Sequence, residues 1–366
     1  MMAPGLSSAI DRSVDVAVVG GGPAGSAAAI WSALSGLDTV LLEAQPFPRP
    51  RPGESLHPGA MAILRQLGVD HDIEQAGFVR YPGQIVAWGG EPEFQSFGSD
   101  AGGAWLGLQA TREKLDAILL HRARALGVEV LQPCGARAPL LTDGRVAGVD
   151  SSSGPIRARI VIDAAGGRHW LGRRLGSGVY SASPQLIAYY GYAKAERPVP
   201  EVLPHLVADA AGWTWIAPVG EDSYAWTCLP FTAPPAGRPG LPPALRGCIP
   251  TAPIRGADVT WRFLLPPAGP GYFIAGDAAA VLDPLSSRGV LKALMTGMQA
   301  AHLASLVLRK GIDESRAIQS YQDFCLRLFE SEVAGMHDMY ARLPREWQPF
   351  STHRSSSGEM PWPRPS

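Results

Sequence analysis

The sequence predicts an α/β fold in which a domain of strand–glycine turn–helix units is interleaved with a mixed β-sheet domain and followed by C-terminal helices. Three observations carry this. An apolar run, Val16–Val19, enters a glycine turn and then a stretch of small residues, GGGPAGSAAA. A mid-chain strand, ARIVIDAAGG, also ends in small residues and glycines, and a late strand, YFIAGDAAAVLDPLSSRGV, turns into a long helix. Between these units lie short β-patterned pieces rich in aromatics, so two kinds of element alternate along the chain.

In the first unit Gly20, Gly22 and Gly25 stand at G-x-G-x-x-G spacing, with Pro23 and Ala24 between the last two. The first glycine turns the chain, the second lets backbone approach a pyrophosphate, and the third lets helix pack on strand. The helix N-terminus then offers unpaired N–H groups and a positive dipole end to an anion. A second apolar run, Thr39–Leu42, ends at Glu43 and Ala44. That acid lies roughly 20 residues beyond the glycines, where a carboxylate can bond ribose hydroxyls. This is the pattern of a Rossmann-like dinucleotide site.

At 366 residues, 46% of them hydrophobic, the chain is long enough for two interleaved domains. A net charge of −1 argues against nucleic acid held by bulk electrostatics. The four cysteines have no C-x-x-C spacing, and the eight histidines form no H-E-x-x-H pattern, so a metal site has no support. The first residues lack a charged segment followed by a long apolar core, and no apolar run approaches about 18 residues. A soluble cytoplasmic protein without a membrane span is expected.

After Glu43 comes a proline- and arginine-rich stretch, QPFPRPRPGESLHPG, in which Arg49 and Arg51 can reach phosphates and Glu54 and Ser55 offer a carboxylate and a hydroxyl. A helix over 60–67 ends at Gly68. Strands are expected at 84–88, 93–97 and 105–108, then a helix from Arg112 capped by Thr111. Strands at 128–131 and 146–149 would be joined by a turn at Thr142-Asp143-Gly144. The strand 158–165 ends at Asp163 and Gly166. Further strands at 186–192, 213–218, 224–229 and 259–264 suit a substrate-side sheet. Residues 14–77, 109–170 and 266–310 are thus assigned to the dinucleotide domain and 78–108 and 171–265 to the substrate domain. A C-terminal helix is expected within 311–343, with flexible tails at 1–13 and 344–366.

A nicotinamide dehydrogenase has no need of the late unit. A flavin does: Asp277 can hold a ribityl chain, and the helix opened by Pro284, Gly289 and Val290 can aim its dipole at the ring. With VVGGGPAG and Glu43, GESLHP at 53–58, the Arg112 helix, IDAAGG at 162–167 and GDAAAVLDPLSSRGV at 276–290, the chain resembles the FAD-dependent monooxygenases of the aromatic-hydroxylase fold. Within them it is similar to the flavin-dependent halogenase and geranylgeranyl-reductase branch. The resemblance implies FAD, dioxygen, and NAD(P)H or a separate flavin reductase as electron source. It further implies oxygen delivery to an aromatic ring through a flavin C4a-hydroperoxide.

GWTWIAP resembles the W-x-W-x-x-P pattern of halogenases, so Trp213 and Trp215 are assigned to the substrate pocket, strand core being the alternative. Halogenases of this type use a lysine shortly after the G-E-S loop. Between Gly53 and Trp88 this chain has none, and Arg80 stands nearest to that place. Arginine stays protonated and does not replace an amine nucleophile. SSRGVLKALMTGM at 286–298 resembles the flavoproteins that mature tryptophylquinone cofactors, the LodB-like group. That likeness implies hydroxylation of a tryptophan side chain in a precursor protein. A small-molecule halogenase or double-bond reductase, and a flavoprotein chaperone, are the alternatives. His57, Arg80 and Arg288 are the candidates for polar catalytic work.

Overall fold

The computed structural model describes residues 12–196, 203–232 and 239–348. Its first sheet runs Glu129–Leu131, Thr39–Leu42, Arg12–Val19, Gly154–Asp163, Arg145–Ser151, Ala136–Thr142. Tyr272–Ile274 also pairs, in parallel, with the end of Gly154–Asp163. Val16, Val18, Ile160 and Ile162 are buried on one face, and Ala17, Val40, Leu42 and Val161 on the other. Such near-continuous apolar runs suit a parallel sheet covered on both sides. In register, Val19 lies beside Asp163, and Asp163 beside Ile274. The three glycine-bearing turns therefore leave the sheet at one edge, the carboxyl ends where α/β sheets bind ligands.

The helices Pro23–Leu34 and Gly289–Lys310 cross in backbone contact. A Cβ on Gly297 would stand 2.1 Å from the Ala24 carbonyl oxygen, so the small residues there are a packing requirement. Gly289–Lys310 is long and apolar enough to cross a membrane by length and composition, but half of that stretch is buried inside the protein. It is the central helix of the core, flanked by Glu314–Ala341.

The second sheet runs Glu93–Ser96, Gly83–Trp88, His205–Asp209, Gly212–Pro218, Ser223–Pro230, Ile187–Lys194, with Ile249–Pro250 and Arg255–Asp258 sharing its last edge. A small sheet of Ser55–Leu56, Gly107–Gln109 and Val79–Tyr81 lies within the stretch assigned to different domains.

Several expectations need correction. The Asp143-Gly144 turn, both residues at positive φ, joins Ala136–Thr142 to Arg145–Ser151, while Glu129–Leu131 lies at the opposite edge. The mixed polarity of ARAPLLT hides that strand. The run 259–264 splits, because Arg255–Asp258 and Arg262–Leu265 pair in different sheets. Thr111 and Arg288 occupy helix N-caps without a side-chain hydrogen bond. The expected tails lie mostly outside the described residues. Ser13, however, pairs with Arg157 in the first sheet, since a backbone ladder continues irrespective of side-chain polarity, and Arg345–Trp347 form a helical turn.

Candidate active site

Gly20 has φ +105, and a Cβ there would stand 2.4 Å from the Ala164 carbonyl oxygen; one on Gly25 would stand 1.8 Å from that of Gly20. Close packing demands both glycines. Gly22 differs. A Cβ there would meet only the guanidinium ends of Arg49 at 3.8 Å and Arg112 at 3.9 Å. The loop therefore opens towards two cations, just where the helix beginning Pro23-Ala24 presents its N-terminus.

Glu43 is buried, and its Oε2 accepts the Gly21 N–H at 2.7 Å while its Oε1 accepts the Gln45 N–H at 2.8 Å. The carboxylate thus braces the turn, and Ala44 beside it is exposed. Arg112 Nε and Nη2 donate to Asp116 at 2.8 and 3.0 Å, and Nη1 donates to the Pro52 carbonyl. Burial opposes the Arg112 charge, but Asp116, helped by Glu54 and Asp277, raises the pKa above its ordinary value. Arg49 reaches Glu43 at 3.4 Å, while its Nε is buried with no partner. Desolvation lowers its pKa against the pull of Glu43 and Asp116. Arg51, expected at the phosphates, is exposed and donates to Gln45 Oε1. Prolines on both sides fix the backbone between them, and it is Arg49 that faces inward.

Glu54 and Ser55 tie this loop to the second sheet. The buried Glu54 accepts from the Gly53 N–H at 2.9 Å and from the Tyr192 hydroxyl, a short hydrogen bond. Burial pushes its pKa up. Ser55 Oγ donates to Gln109 Oε1 at 2.8 Å and accepts the Trp215 indole N–H at 3.1 Å. Both residues, assigned to the cofactor from sequence, are thus engaged at the junction of the two sheets. Gln109 is itself buried, and its Nε2 has no partner. Sequence reasoning missed Gln109 and Tyr192. Only the place of Gln109 on the strand leading into the Arg112 helix could have flagged one of them.

Other assignments separate. Asp163 is fully buried, with its oxygens taken by the Ala165 and Leu171 N–H groups at 2.9 Å each, so it caps a turn instead of facing a ligand. Gly166 after it has φ +84. Asp277 is exposed at the sheet edge. A Cβ on Gly53 would come within 3.4 Å of Arg112 and 3.8 Å of Val290, so the loop, the Arg112 helix and the start of Gly289–Lys310 converge. Pro284 and Gly289 are exposed beside them. His57 Nδ1 accepts the Gly59 N–H at 3.1 Å. Burial lowers its pKa, nearby Arg288 adds to this, and Glu332 opposes. Arg288 is half-exposed and pairs with Glu332 at 3.1 Å. Arg80 points to the surface towards Glu74, because on a strand its neighbour Tyr81 takes the inner face.

Trp213 and Trp215 share one face of their strand, as residues two apart must, but they do different things. Trp215 is half-buried at Ser55. Trp213 is fully buried, and its indole N–H donates to the Tyr340 hydroxyl at 2.8 Å. Tyr340 in turn donates to Asp283 Oδ2 at 2.8 Å. Of the pair assigned to the pocket, Trp213 belongs to the core.

Fold and site together define the class. The chain belongs to the FAD binding domain family, which it matches over residues 13–237, and is a flavin-dependent oxidoreductase. It is 29% identical over 340 residues to the 1H-pyrrole-2-carbonyl-peptidyl-carrier-protein brominase of Pseudoalteromonas luteoviolacea, covering 86% of this chain and 82% of that protein. It is 31% identical over 335 residues to the menaquinone reductase of Mycobacterium tuberculosis, covering 80% and 77%. The structure of the flavin-dependent brominase Bmp2 superposes with a TM-score of 0.76 at 25% identity, over 86% of this chain and 84% of that one. The residues present fit FAD: Arg49 Nε and Gln109 Nε2 are buried donors without partners, and Gly22 opens onto two guanidinium groups.

Proposed function

We propose that the protein is an FAD-dependent monooxygenase that hydroxylates an electron-rich aromatic ring. FAD held here would supply the electrophilic oxygen, with electrons from NAD(P)H or a flavin reductase and with dioxygen. The N–H groups after Gly20, with Arg49 and Arg112, hold its pyrophosphate. Asp277 takes the ribityl hydroxyls, and the uncapped start of Gly289–Lys310 offers its dipole to the ring. Trp215, fixed by Ser55, forms an aromatic wall against which a planar substrate stacks. His57, whose pKa burial and Arg288 lower, would be the group that moves a proton, with Nδ1 occupied by the Gly59 N–H.

The observation that favours oxygenation over halogenation is the placement of the lysines. There are four in the chain. Lys114 and Lys310 are exposed, Lys194 pairs with Asp222, and buried Lys292 donates to the Ala280 carbonyl. None offers an amine beside the Ser55 loop. A tryptophan side chain in a precursor protein, during quinone-cofactor biogenesis, is the substrate we favour, from the likeness at 286–298. Halogenation is the second reading, favoured by the brominase relatives. Purified protein with FAD, NAD(P)H, a flavin reductase, dioxygen and bromide should add one oxygen atom to a tryptophan-containing precursor. A gain of one bromine atom, or reduction of a quinone side-chain double bond, would replace this reading.

A further inference from the structure

A second cluster lies behind the substrate sheet, and the proposed reaction uses none of it. Tyr340 is 1% exposed, Trp213 1%, Trp261 0% and Asp283 2%. The Tyr340 hydroxyl donates to Asp283 Oδ2 at 2.8 Å and accepts the Trp213 N–H at 2.8 Å. Trp261 donates its own N–H to Asp283 Oδ2 at 3.1 Å, and the Leu285 N–H reaches Oδ1 at 3.0 Å. The rings of Trp261 and Trp88 lie 6.0 and 5.9 Å from that of Tyr340. Trp88 is half-buried, with its N–H on the Met339 carbonyl.

We propose that Trp215, Trp213, Tyr340 and Trp88 form a one-electron relay that carries oxidising equivalents from the Ser55 loop to the surface, with Asp283 as the proton acceptor for Tyr340. Three features meet the requirements of such a relay. A phenol that loses an electron must lose its proton with it, so an acceptor has to be in hydrogen-bond contact beforehand. Asp283, which receives three donors, is an acceptor already in place. Electron tunnelling falls steeply with distance, so steps between neighbouring rings outrun one long jump. Trp215 and Trp213 are neighbours on one strand face, with backbones roughly 7 Å apart, Trp213 touches Tyr340 through its 2.8 Å hydrogen bond, and the Tyr340 and Trp88 rings lie 5.9 Å apart. A cap for the turn at 283 would need only the carboxylate, not three indoles and a phenol around it.

The step balances. One electron leaves Tyr340 through Trp213 and Trp215 to an oxidant of the flavin–dioxygen class that has missed its substrate, and the oxidant is reduced by one electron. The Tyr340 O–H bond breaks as an O–H bond forms on Asp283 Oδ2. A thiolate reductant returns the electron at Trp88 and becomes a thiyl radical, and the proton on Asp283 goes back to Tyr340. This use of the relay rests on the proposed oxygenase reading, but the test supplies its own oxidant, so the two can fail separately.

Azide radicals generated by pulse radiolysis oxidise indoles in the FAD-loaded protein. The tryptophan-radical absorbance should decay into a tyrosyl radical at a rate independent of protein concentration, and more slowly in deuterated water. Tyr340→Phe should abolish most of the tyrosyl signal seen by freeze-quench electron paramagnetic resonance. Trp88→Phe should slow its arrival. If Tyr340→Phe does not fold, the isotope effect and Trp88→Phe decide. A tyrosyl signal unchanged in Tyr340→Phe, or arrival unaffected by both deuterium and Trp88→Phe, overturns the proposal.

Discussion

Around the glycine loop, two buried donors, Arg49 Nε and Gln109 Nε2, have no partner. Around Asp283, the hydroxyl of Tyr340, the indoles of Trp213 and Trp261 and the N–H of Leu285 all find acceptors. Both clusters are buried, polar and fed by residues from distant parts of the chain. The difference is completeness. Buried polar groups are ordinarily satisfied, so the incomplete cluster reads as one half of an interface whose other half is a ligand. The complete cluster needs no ligand: its donors and acceptors pair among themselves and join the C-terminal helix to the second sheet.

Substitutions at six positions test that contrast, the largest effect first. Gly25→Val drives a side chain into the Gly20 carbonyl and should cost more than about 3 kcal/mol, leaving little folded protein. Gly22→Val, whose side chain enters the space before Arg49 and Arg112, should keep a near-normal thermal midpoint yet lose FAD absorbance. Normal FAD binding by that variant would mean the pyrophosphate lies elsewhere.

Asp283→Leu strands three donors and should cost about 4 kcal/mol in urea unfolding, through desolvated groups left unpaired. The same residue sets a pH dependence. Burial raises its pKa from 3.8 to about 6. Between those values the folded state keeps a proton that the unfolded chain has released, so this contribution is complete at low pH and is lost as pH rises through about 6. The wild type should therefore lose stability relative to Asp283→Asn between about pH 4 and pH 7. A gap that stays constant with pH would contradict this.

Trp213→Phe removes a fully buried indole and its hydrogen bond and should cost about 2 kcal/mol. Trp215→Phe should cost less than about 1 kcal/mol but raise KM for the aromatic substrate. Equal stability losses would erase the distinction between the two. Last is Gln109→Leu: Ser55 Oγ loses its acceptor on Gln109, which should cost about 1 kcal/mol, while FAD affinity should fall about tenfold. Titration with FAD, alongside thermal unfolding, reads both halves.

The first sheet was legible because its signals are local. A parallel strand buried on both faces must be a continuous apolar run, and a close turn must be glycine, so 16–25, 158–167 and 272–290 could be read in isolation. The place of Arg112, at the start of a regular helix, was legible for the same reason. Arg51 and Arg80 were not. Both lie on short segments where neighbours differ only in which side they face, and packing gave the inner side to Arg49 and Tyr81. Asp163 looked like a ligand because a carboxylate at a strand end can serve a ligand or a turn, and only its two backbone donors show which.

By itself, then, the sequence determined the parallel strands of the first sheet, the glycine loop and hence a dinucleotide site, since each follows from backbone sterics and periodicity within a few residues. Only the tertiary structure decided that Glu54 and Ser55 bind the second sheet, that Trp213 is core while Trp215 stands at the Ser55 loop, and that Tyr340 meets Asp283. Those partners are 138, 160, 127 and 57 residues apart. No local rule acts over such a separation. Hydrogen-bond demand in a buried, close-packed junction does.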